Sequence, residues 1–317
     1  MSSPQELLIK SCRVVVGESV TELQTHLNQY AATPAPGSPY LADQQPLRTG
    51  GSPRDIARLR VYQHGFLALQ HVVVSAMDHL RSIHVLMADD LPPLFAGTTL
   101  ARAAGEAAAQ VLHRLDSNLT SELRLLRFAA SLHHGLQDQT RGAKGLPEAS
   151  VPRQAGVLEA CEAQLADVEA ILDECGMDVG KAGLTSRSTG ESAPFRVQLS
   201  GLAQAVFPHR ASWYNSTSGT AHSQPWALGT VNKGFEDNHL LFGANPLELG
   251  GAVILALDAC TVIDSTYAAY FGHDPARATD TYQHRSAEID TALLNSAPKA
   301  LKHEMAVRLQ QAATTPR

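Results

Sequence analysis

The feature that most constrains this chain is an apolar stripe between residues 54 and 88. Tyr62, Phe66, Leu69, Val73, Ala76, Leu80, Ile83 and Met87 recur at alternating spacings of four and three. That period keeps one side of an α-helix apolar over about four heptads, and it fits no strand, whose side chains change face at every residue. A stripe of this length is buried only against other helices, so the chain must build a helix-on-helix core. Ser52 and Pro53 supply a cap and a first-turn proline, and Asp89, Asp90 and the Pro92-Pro93 pair supply the stop.

Further helical segments surround it. Residues 5–30 read as a helix, and residues 33–53, rich in Pro and Gly, as a linker or arm laid over the body. Helices follow at 98–115, 119–138 and 153–174, the last with enough charge to be an outer helix. Residues 176–194 are glycine-rich and read as a long irregular loop. Short helices are predicted at 195–206 and 209–222, irregular chain at 223–247, and a core helix at 247–271. A polar tail over 273–317 closes on a short helix at 298–312. The sequence thus predicts an all-α helical bundle with no convincing sheet. Its bundle domain spans 54–272, with an N-terminal helix and arm over 1–53 and a C-terminal tail over 273–317.

Composition removes several classes of function. The net charge of −6 gives no overall cationic field for DNA or RNA, and aromatics at 5% are scarce for a stacking single-strand binder. Four cysteines without a C-x-x-C make neither a zinc framework nor a disulfide scaffold. The N-terminus carries charges inside its apolar stretch, so no signal peptide is read and a cytoplasmic location is expected. The longest apolar run, 251–271, contains Asp258 and Asp264, which favours a buried core helix over a membrane span.

The familiar chemical signatures fail in turn. There is no G-x-G-x-x-G, no Walker A motif and no G-x-S-x-G elbow. His303-Glu304 lacks the second histidine of a zinc protease, and Glu236-x-x-His239 stands alone where a di-iron bundle needs two such pairs. On the long helix His64 and His71 are about 10 Å apart, too far to share an ion. No metal site and no cofactor are expected.

Three groups of polar residues remain. On helix 98–115 the apolar side is Leu100, Ala104, Ala107, Ala108, Val111 and Leu115, with Arg102, Glu106 and His113 opposite. The helix is otherwise so poor in charge that Arg102 and Glu106, one turn apart, are expected to be buried and paired. The next helix carries Arg127 and His134 beside its leucine stripe, His133 nearer the stripe centre, and Arg124 pointing further out. The third group, Trp213 to Trp226, holds Trp213, Ser218 and His222 on a polar-aromatic face around Gly219, suited to a ligand pocket or to a buried hydrogen-bonded corner.

The order of the long helix, Arg102-Ala-Ala-Gly-Glu106, Arg124-Leu-Leu-Arg127 and Ser218-Gly-Thr-Ala-His222-Ser resembles a loose group of uncharacterised all-helical actinobacterial proteins. Some of these stand near the HEPN superfamily. The resemblance covers roughly residues 60–270 and implies a HEPN-like up-down helical core. HEPN ribonucleases use an Arg followed by a His after four to six residues, the Arg polarising the phosphate and the His moving protons. Arg127 with His133 or His134 fits, as do Arg58–His64 and Arg277–His284, but only Arg127 lies beside a predicted core face.

The leading reading is a helical regulatory or ligand-binding protein whose Arg102, Glu106, Arg127 and His222 converge to fix the bundle or to bind a small anionic ligand, with Trp213 and Ser218 beside them as ligand-binding residues. The alternative is a metal-independent HEPN-like ribonuclease of toxin or defence type, with Arg127, His133 and His134 as its catalytic set and RNA as partner. A small-molecule biosynthetic enzyme is the third. Acidic overall charge and few lysines favour the first over the second. A homodimer is expected, without membrane or DNA partners.

Overall fold

The computed structural model describes residues 4–88, 93–145, 151–229, 232–236, 239–243 and 245–296. They are mostly helical, as the apolar period requires. The helices are α1 (Pro4–Ala32), α2 (Pro39–Gly50), α3 (Pro53–Leu86), α4 (Ala96–Leu115), α5 (Ser121–Lys144), α6 (Val151–Glu174), α7 (Leu199–Val206), α8 (Ala211–Ala221), α9 (Pro225–Leu228), α10 (Pro246–Phe271) and α11 (Ala276–Ser296). Helix α3 is the predicted long helix. Its N-terminus is a full capping box, with Ser52 Oγ accepting from Asp55 N and the Asp55 carboxylate accepting from Ser52 N. Its predicted acidic stop at Asp89 and Asp90 lies outside the described residues, as does the predicted helix at 298–312.

The core forms where α3, α4 and α10 pack together, with α1 and α11 closing one side and α5 the other. Helix α4 sits centrally because its buried face is built of small residues, Ala101, Ala104, Gly105, Ala108 and Ala109, which let α3 and α10 come close. Helix α10 is apolar all round and long enough by composition to cross a membrane, but most of it is buried inside this bundle. Each of its aspartates has a partner, although Asp264 makes both its bonds through Oδ2 and its buried Oδ1 has none among the described residues. Asp258 takes Arg210 at 2.8 Å; Asp264 is fully buried against His26 at 2.7 Å and the Tyr282 hydroxyl at 3.0 Å.

Four expectations need correction. The Pro/Gly-rich arm is largely helix α2. Ser38 caps it, Pro39 occupies its first turn, and Gly51 ends it at φ +69, so these residues punctuate a helix rather than a loop. The polar tail begins with α11, whose Ala278, Tyr282, Ile289 and Leu293 are buried in the common core; one apolar stripe suffices on an otherwise polar helix. The irregular loop contains three antiparallel strands, β1 (Met177–Val179), β2 (Gly183–Ser186) and β3 (Ser192–Pro194), in the order β1-β2-β3. Met177, Leu184 and Ala193 turn inward toward α5 and α6. Strands of three or four residues are too short to show an alternation. A second hairpin, β4 (Asn232–Glu236) with β5 (His239–Phe242), stands in the other segment expected to be irregular.

Candidate functional site

Arg102 and Glu106 pair as their spacing predicts, Arg102 Nε to Glu106 Oε1 at 2.9 Å, both partly buried. The group that completes the pair is Tyr214 of α8, a buried ring whose hydroxyl donates to Glu106 Oε1 at 2.7 Å and over which the guanidinium lies at 5.4 Å. Burial, with the Glu106 carboxylate next, pushes the Tyr214 hydroxyl up to about 12, so it stays a donor. This is a closed three-residue clasp between α4 and α8. The expected convergence with Arg127 and His222 does not form. His222 is exposed just past the end of α8, where its backbone N–H bonds Ser218 O at 3.0 Å; Ser218 is half-buried. Trp213 belongs to α8, but its side chain lies outside the described residues.

Arg124 is a second correction. The helical-wheel reading turned it outward, yet it is only 3% exposed. It forms a two-pronged pair with Asp43 of α2, Nε to Oδ2 at 2.7 Å and Nη2 to Oδ1 at 2.8 Å, and its Nη1 donates to the Asp116 and Leu119 carbonyls. Tyr270 adds a bond to Asp43 at 3.0 Å and is itself bonded to Tyr62. Burial pushes the Arg124 guanidinium down, but Asp43 outweighs it and holds the group above its ordinary value.

Arg127 faces a different environment. Together with its own α5 neighbours Ser131 and His134, with Gln110, His113 and Arg114 from α4, and with the segment 194–202, it encloses a cavity of about 430 Å³. The spacings i, i+3, i+4 on α4 and i, i+4, i+7 on α5 put each trio on one helix face. Arg114 donates to Gln110 at 3.2 Å and to Ser131 at 2.9 Å, and Arg127 donates to the His113 carbonyl. The opposite wall holds Pro194, Phe195, Val197, Leu199 and Leu202, with Arg196 exposed at the rim.

No carboxylate is among the described residues that line this cavity. Its electrostatics follow from that. Burial lowers Arg114 to about 10. Burial likewise lowers Arg127, outweighing the opposing charge of Asp116. His113 is pushed down to about 4, by burial first and then by the Arg127 and Arg114 charges, and is therefore neutral at pH 7.

The two histidines of the predicted Arg–His motif separate. His134 lines the cavity; its Nε2 lies 3.5 Å from the exposed Asp138, and its Nδ1 is buried without a partner. His133 is buried and turned toward α6, with Nε2 2.9 Å from Glu169 Oε1 and its ring stacked on Phe195 at 4.5 Å. The geometry thus brings Arg127 and His134 together with His113, which the sequence had placed on the Arg102–Glu106 face. Arg114, Ser131 and Gln110 were missed. The signal that could have found them is the short 116–120 connection, which keeps the basic last turn of α4 beside α5. Among the described residues no group of three or more His, Cys, Asp or Glu could hold a metal ion.

No family model, curated protein or solved structure matches this chain.

Proposed function

We propose that this helical protein binds a small anion in the cavity between α4, α5 and residues 194–202. The supporting observation is the contrast between its arginines. Arg124 has a carboxylate and lies above its ordinary pKa; Arg114 and Arg127 have none among the lining residues and lie below it. A guanidinium drawn partly out of water without a countercharge is disfavoured in its charged form, and a ligand that supplies the negative charge offsets this. The cavity's size lies within the usual range for small-molecule sites.

The test is thermal melting in phosphate, sulfate and chloride at matched ionic strength. An anion at about 100 times its dissociation constant adds about 2.7 kcal/mol. Phosphate stabilises the wild type, the gain disappears in Arg114→Gln and Arg127→Gln, and it persists in Arg102→Gln. Equal melting of the wild type in all three salts removes the reading.

A second reading, the HEPN-like ribonuclease, is favoured by Arg127 and His134 lining one cavity at the motif's spacing. On that reading Arg127 holds the scissile phosphate and His134 moves the proton. Incubation with total RNA in EDTA tests it: cleavage that fails in His134→Ala and survives in His133→Ala supports it, and intact RNA with the wild type eliminates it.

A further inference from the structure

We infer that the natural occupant of the cavity is a phosphomonoester with an apolar or aromatic body, a ligand class that rests on the anion-binding reading above. Charge and wall chemistry both lead there. Among the described lining residues Arg114 and Arg127 are the two fixed charges inside the cavity, Arg196 being exposed at its rim and His113 neutral near pH 7. A carboxylate would offset one of the two. A phosphomonoester, carrying about −1.5 to −2 at pH 7, offsets both and offers three acceptor oxygens to guanidinium donors. A phosphodiester, with a single charge, leaves the same deficit as a carboxylate.

The opposite wall decides the rest of the molecule. Pro194, Phe195, Val197, Leu199 and Leu202 face the guanidinium side across the cavity, and Phe195 is already held in place by its stack on His133. A bare phosphate leaves this wall unused. A sugar would set hydroxyls against side chains that cannot bond them, whereas a ring or short acyl group loses apolar surface to them. Gln110, Ser131 and Gln198, together with His113 and His134, are polar groups among the described lining residues that can orient the ester oxygen.

The experiment is titration of the full chain at pH 7.5 with phenyl phosphate, inorganic phosphate and benzoate, followed by calorimetry and, for the two phosphates, by the phosphorus resonance. Phenyl phosphate is expected to bind about tenfold or more tightly than either of the others, the ring supplying the margin over phosphate and the second charge the margin over benzoate. Leu202→Asn should erase the margin over phosphate while leaving phosphate binding in place, and Arg127→Gln should weaken both phosphates. The wild-type panel is decisive even if a variant fails to fold. Phosphate binding as tightly as phenyl phosphate, or benzoate as tightly, overturns the ligand class and leaves anion binding standing. No binding by any of the three overturns both.

Discussion

At the residue scale, the same side chain does opposite things depending on what faces it. Arg124 with Asp43 is a satisfied buried ion pair that ties α5 to α2, and its removal from one side is costly. Asp43→Ala leaves a buried guanidinium without its carboxylate and takes one of the Tyr270 hydroxyl's two partners, so a loss of about 3–5 kcal/mol is expected in urea denaturation. His113 gives a pH signature. Its folded pKa of about 4 lies below its ordinary 6.5, so between these values the unfolded chain binds the extra proton. The contribution of His113 to stability is therefore complete above about pH 6.5 and is lost as the pH falls toward 4. Urea midpoints taken across this range should fall less steeply for His113→Gln. Saturating phosphate should flatten the wild-type curve too, because a bound anion favours the imidazolium.

At the element scale, helix positions are fixed by small residues as much as by large ones. Gly65 of α3 lies where α5 crosses. A Cβ there would stand 2.4 Å from Phe128 Cβ, and Phe128 is fully buried, so Gly65→Ala forces the helices apart and should cost about 1–3 kcal/mol. Gly135 on α5 has open space around it, and Gly135→Ala should stabilise by about 0.4–1 kcal/mol. Chemical denaturation of the two variants reads the opposite signs. Most of these elements were legible beforehand. The α3 stripe, the alanine-rich α4 and the apolar α10 each announce a helix through period and composition alone. Helix α2 and the β1–β3 sheet were not, because Pro and Gly serve helix ends and loops alike, and three-residue strands carry too little pattern.

At the scale of the whole molecule, the first and last described helices belong to one core. Helix α11 packs on α1 and α10, Tyr282 reaches Asp264, and Arg285 reaches Glu22 and Ser19 on α1. A chain ending at Gly272 would expose the faces of α1 and α10 that α11 covers and leave Asp264 short of a partner. Its far-ultraviolet dichroism is expected to lose the cooperative melt of the intact protein. A melt as sharp as the full chain's would show α11 to be an appendage.

Sequence alone determined the helical class, the buried helix α10 and the Arg102–Glu106 pairing, because each depends on spacings within one element, where 3.6 residues per turn fixes the neighbours. It could not determine that Tyr214 rather than His222 closes that pair, that Arg124 is buried on Asp43 while Arg127 faces a cavity with no carboxylate among its described lining residues, or that residues 194–202 wall that cavity. Those facts depend on which faces of separate helices meet. Only the packed structure sets that, since a charge's partner is whatever the fold brings within a few ångströms of it.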